Sequence, residues 1–105
     1  MANPHAGEVT LVVDGQARAA KLTLGALAEL EAALDTGTLV DLVARFEGGA
    51  CSSRDVLALI VAGLRGGGWQ VTAADLLAAD IEGGAVSAAR KAAELLARAF
   101  GSTGE

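Results

Sequence analysis

The chain has 105 residues, 52% of them hydrophobic but only 3% aromatic, and a formal net charge of −5. That length suits one domain with a modest core, built mostly from Ala, Leu and Val. The acidic balance argues against non-specific nucleic-acid binding, which needs clustered Lys and Arg. Residues 1–52 hold seven acids and three bases, and residues 53–105 hold six and five.

Cys51 is the sole cysteine, so no disulfide forms within the chain, which fits a reducing cytoplasm. The N-terminal residues lack the positive region and apolar run of a secretory signal. The longest apolar run, Val56 to Ala62, is seven residues, against roughly 20 for a membrane span. No basic amphipathic helix suggests a membrane surface. A cytoplasmic protein is expected.

Residues 1–7 read as a loose tail, and residues 8–100 as one globular domain. Glu8 to Val13 has strand character. Asp14-Gly15 is a strong hairpin signal, because both residues tolerate positive φ. Gln16 to Leu22 is the return strand, with Ala17, Ala19 and Lys21 alternating against Arg18, Ala20 and Leu22. A two-stranded ribbon is marginal alone and must lean on helices or on another chain.

Thr23 is placed to cap a first helix, Leu24 to Leu34, with Leu27, Leu30 and Leu34 on one face and Glu29 and Glu31 flanking it. Thr38 with Asp41 is a capping-box pattern opening a second helix, where Leu39, Leu42, Val43 and Phe46 share a stripe. Ser52 with Asp55 opens the third. Its run SRDVLALIVAGLR is apolar on nearly every side, which predicts a central helix surrounded by others. Gly66-Gly67-Gly68 stops it. Trp69-Gln70-Val71 reads as a short extended piece. Thr72 with Asp75 opens a fourth helix, Ala73 to about Ile81, burying Leu76, Leu77 and Ile81. A fifth, Ala85 to Phe100, places Val86, Ala89, Ala93, Leu96 and Phe100 on one face. Arg90, Lys91, Glu94 and Arg98 lie on its other side, with Glu94 and Arg98 in the favourable i, i+4 order. Residues 101–105 read as a second tail. The expected class is α+β: a short N-terminal hairpin, then a compact bundle of about five helices.

No constellation for catalysis emerges. His5 is the only histidine, and a metal site needs several ligands at fixed spacing. Cys51 precedes a helix start, which favours a thiolate, but no general base accompanies it; a small residue before a cap is the plainer account. Gly66-Gly67-Gly68 follows a helix, whereas a phosphate loop precedes one and ends in Gly-Lys-Ser/Thr. Glu29 and Glu31 are two apart on a helix and do not face each other. Trp69 reads as a core plug, with an exposed partner anchor as the alternative.

Three stretches carry a family resemblance: GEVTLVVDGQARAAKLTLGALAELEAAL, then RFEGG, then SSRDVLALIVAGLRGGG. Together they resemble the tail assembly chaperones of gene transfer agents and related tailed phages, over roughly residues 7 to 82. The resemblance implies a non-enzymatic factor without cofactors. It would bind a tape-measure protein before the tube polymerises around it, keep it soluble and recruit tail tube subunits. A structural tail tube role is the alternative, although tube proteins are built around β-sheets ringing a channel. Leu27, Leu30 and Leu34, or Val86, Leu96 and Phe100, would supply the apolar contact, with Trp69 a further candidate. Glu29 and Glu31 would form an acidic rim favouring a basic or neutral client. Open hairpin edges and apolar helix stripes predict a homo-oligomer. A transcription regulator is disfavoured, since a recognition helix needs exposed Arg, Lys, Asn or Gln. Neither nucleic acid nor membrane is an expected partner.

Overall fold

The computed structural model describes residues 8–33, 38–50 and 52–100. Both predicted tails, Leu34, Cys51 and His5 lie outside the described residues. The fold is α+β: strands β1 (Val9–Val13) and β2 (Gln16–Ala20), then helices α1 (Leu24–Ala33), α2 (Leu39–Glu47), α3 (Ser53–Gly66), α4 (Ala73–Leu77) and α5 (Gly84–Ala99).

The strands pair antiparallel, with Val9 opposite Ala20 and Val13 opposite Gln16. Asp14 (φ 51°) and Gly15 (φ 80°) both take positive φ, as a two-residue hairpin turn matched to strand twist requires. Val9, Leu11 and Val13 are buried on one face with Ala20. β2 ends at Ala20 rather than Leu22, because the Lys21 N–H donates to the Gly63 carbonyl of α3 at 2.8 Å and leaves the ladder.

The predicted capping boxes at Thr38–Asp41, Ser52–Asp55 and Thr72–Asp75 all form, each with both reciprocal bonds. The Thr23 hydroxyl accepts from the Ala26 N–H at 3.1 Å. α3 is central: it lies against α1, α5, β2 and α4. Leu59, Ile60, Ala62, Gly63 and Leu64 are buried there. Its enclosure is incomplete, however, since Val56, Leu57, Ala58 and Val61 are only partly buried. The neighbours cover an arc of the helix and leave the rest as groove floor.

The triple glycine does more than end a helix. A methyl at Gly66 would strike the Lys21 carbonyl, and one at Gly67 the Ala19 carbonyl. Glycine here lets α3 run its last turn directly against the β2 backbone. Trp69-Gln70-Val71 forms no strand. Instead Val71 is buried, and Trp69 packs half-buried on the core beneath the Arg18 guanidinium, 4.2 Å from the ring centroid. The Arg18 Nε is buried without a hydrogen-bond partner, and the ring face compensates the cation.

Two helical expectations need correction. α4 stops at Leu77, which is 76% exposed, and does not reach Ile81. Residues 80–82 turn to the hairpin instead: Ile81 bridges Val13, the Asp14 N–H donates to the Asp80 carbonyl at 2.7 Å, and the Glu82 N–H donates to the Val12 carbonyl at 3.0 Å. Part of the β1 edge is thereby closed. α5 is rotated from its predicted orientation. It buries Ala88, Ala92, Leu95 and Leu96, while Val86 and Ala93 are exposed. Glu94 and Arg98 form no ion pair.

Candidate partner-binding surfaces

α1 crosses α3 and leaves a groove floored by Leu57, Ala58 and Val61 of α3 and walled by Ala33 of α1 and by Val71 to Ala73. Its volume is about 390 Å³. Arg54 and Arg65 stand at its rim with Glu29, and the Arg65 Nε donates to the Glu29 carboxylate at 3.0 Å. The Arg65 Nη1 also donates to the Val71 carbonyl at 3.3 Å, tying the segment after the glycines to α3. A second groove, about 250 Å³, lies between α2 and α5 and is lined by Val43, Phe46, Ala93, Leu96 and Phe100.

The predicted contact residues divide between core and surface. Leu30 is 0% exposed and Leu96 4%, so both are chiefly core residues beneath the two grooves. Leu27 is half-buried. Val86 (70% exposed) and Phe100 (47%) are open to solvent. Glu29 and Glu31 are exposed but engaged, Glu29 by Arg65 and Glu31 by the Leu39 N–H at 3.4 Å. The acidic rim is thus partly neutralised. Leu57, Ala58 and Val61 were missed as surface residues. Their signal was in the sequence: a helix apolar on every side in a chain this short has more apolar surface than its neighbours can cover. Both phenylalanines of the chain border the α2–α5 groove, whereas the fully buried core holds no aromatic.

One ion pair sets the position of α2. The Arg45 guanidinium grips Asp55 with two bonds, Nε to Oδ2 at 3.0 Å and Nη2 to Oδ1 at 3.1 Å. Asp55 Oδ2 also accepts from the Ser52 N–H at 3.0 Å. The bond from Arg45 holds the Asp55 carboxyl below its ordinary value of 3.8; burial opposes this, and the Ser52 N–H reinforces it. Asp55 therefore caps α3 and clips α2 to it at once.

Among the described residues no group of three or more His, Cys, Asp or Glu side chains assembles as a metal site. No described helix is long and apolar enough to cross a membrane. The family described as "Phage tail tube protein, GTA-gp10" matches residues 6–102. The chain belongs to this family. By that description it is a family of phage tail proteins, not of enzymes. No curated protein and no solved structure matches the chain.

Proposed function

We propose that the protein is a tail assembly chaperone that binds an apolar helical stretch of a tape-measure protein and hands it to polymerising tube subunits. The observation that supports this reading over a tube subunit is the strand content. The described residues hold one two-stranded sheet, too little to contribute to a β-walled channel. The α1–α3 groove is the client site. Its floor of Leu57, Ala58 and Val61 accepts apolar side chains of a helix laid along it, and its volume of about 390 Å³ takes several of them. Release requires only competition from tube subunits.

The family description favours a second reading, a structural component of the tail tube. Co-expression with a candidate tape-measure protein separates the two. A chaperone raises the soluble yield of the tape measure and is absent from finished tails. A tube component leaves that yield unchanged and appears stoichiometrically in the particle.

A further inference from the structure

α3 carries uncovered apolar surface on two sides of α4. On the α1 side lies the groove already described. On the α5 side is a second hollow of about 210 Å³, lined by Val56, Ile60 and Leu76 with Ala85 and Ala88 of α5. Leu57 borders both. α4 separates them: Thr72 and Ala73 wall the first, and Leu76 walls the second. The five residues of α4 make a helix about 8 Å long, against about 21 Å for the 14 residues of α3. α4 is therefore too short to roof the face of α3 that α1 and α5 leave between them. We propose that α4 is a displaceable cover over one continuous apolar trough, latched by Leu76, and that a client helix lying along α3 lifts it.

The latch is a single side chain. Leu76 is buried, and every other residue from Thr72 to Ala78 is exposed. The capping box closes within the helix, between Thr72 and Asp75, so it travels with α4 rather than tying it down. The anchors lie outside. Before α4, Val71 is buried and its carbonyl accepts from the Arg65 Nη1 at 3.3 Å. After it, Ile81 bridges Val13, and the Glu82 N–H donates to the Val12 carbonyl. Residues 72–78 thus form a strap fixed at both ends and seated through one leucine. Elements with so few buried contacts open well before the rest of a domain. Lifting the strap joins the two hollows into a slot floored by Leu57, Ile60 and Val61, with Ala33 of α1 on one wall and Ala85 of α5 on the other. The occupant that fits is an amphipathic helix, and α4 already seats a short helix there through a leucine. A longer one would bury Val56, Leu57 and Val61, which the fold leaves partly uncovered. While α4 is closed, client affinity falls in proportion to the fraction of chains that are open. The inference rests on the reading of the α1–α3 groove as the client site and adds α5 as its second wall.

Hydrogen exchange and co-expression test this together. In the free chain the Leu76 amide, which donates to the Thr72 carbonyl, should exchange well ahead of the Leu59 and Leu64 amides of α3. In complex with a candidate tape-measure protein, Leu76 should lose protection while α3 keeps its own. Leu76→Ala should raise the soluble yield of that protein several-fold over the wild type, because more chains are already open. Ala85→Arg, at an exposed position on the α5 wall, should keep the wild-type melting temperature and lose most of the gain. A Leu76 amide that exchanges only with global unfolding, or one that gains protection in the complex, would overturn the proposal. If Ala33→Arg abolishes the gain while Ala85→Arg and Leu76→Ala leave it unchanged, the client is confined to the α1–α3 groove and only the cover is lost. No gain with the wild type would remove the client site itself, and the cover with it.

Discussion

Arg45 and Asp55 show what a single pair can hold in so small a fold. The Asp55 side chain is 12% exposed, so removing Arg45 strands a nearly buried carboxylate. Arg45→Ala should therefore cost about 2 kcal/mol, within the usual range for a hydrogen bond to a charged group, read as a lower urea midpoint. The same pair gives a pH dependence of definite sign. Its folded pKa is lowered, so its stabilisation is present above the ordinary value of 3.8 and is lost as pH falls through the folded value. Acid titration of the wild type and of Arg45→Ala should diverge above that value and converge below it. Deeper in the core, Leu59→Asp should unfold the domain, since an unpaired buried carboxylate costs several kcal/mol against a total of roughly 5–15. A cooperative far-UV melt surviving in that variant would contradict the central position of α3. The capping half of Asp55 was legible in the sequence, because Ser52 and Asp55 share one helical turn. Its pairing with Arg45 was not, because the partner comes from the preceding helix, whose placement is tertiary.

The elements were legible where one period dominates and illegible where alanine supplies both faces. The hairpin and α3 announce themselves through Asp14-Gly15 and an unbroken apolar run. α5 does not. Its buried arc, Ala88, Ala92 and Leu95, and its outward arc, Val86, Ala89 and Ala93, are of comparable hydrophobicity. The arc packed toward α3 and the hairpin is the one that sets small Ala88 and Ala92 beside Leu95 and Leu96. α4 was overextended because the residues after Leu77 are compatible with a helix, yet backbone pairing of residues 80–82 with the hairpin competes successfully. The glycines allow a direct comparison. Gly67→Ala places a methyl against the Ala19 carbonyl and should cost about 1–3 kcal/mol, the usual range for overpacking. Gly25→Ala lies in an exposed turn of α1, where the new methyl meets nothing closer than the Thr23 hydroxyl at 3.9 Å. It should stabilise by up to about 1 kcal/mol through helix propensity. Thermal melts of the two variants should shift in opposite directions. Equal shifts would mean that the α3–β2 approach does not constrain the fold.

At the scale of the whole molecule, the sequence reading placed partner contact on α1 and α5, whereas the floor of the α1–α3 groove is supplied by α3. It named Leu30, which packing of α1 on α3 encloses completely, and overlooked Leu57, Ala58 and Val61, which the neighbours of α3 leave partly uncovered. Client binding should therefore be probed from the groove wall. Leu30→Glu would unfold the chain before it reported on contact, because Leu30 is completely enclosed. Ala33 lines the same groove and is exposed, so Ala33→Arg should keep the fold while filling the space that an incoming helix needs. With the tape measure co-expressed, this variant should retain the wild-type melting temperature and lose most of the gain in soluble client. The groove rim supplies a second, graded test. Glu29→Ala releases Arg65 from its ion pair and makes the groove rim more positive. Clients with acidic flanks should then bind more tightly, and clients with basic flanks should gain nothing, with the difference shrinking as salt rises. If instead Ala33→Arg solubilises the tape measure as well as the wild type does, the client does not lie in the α1–α3 groove.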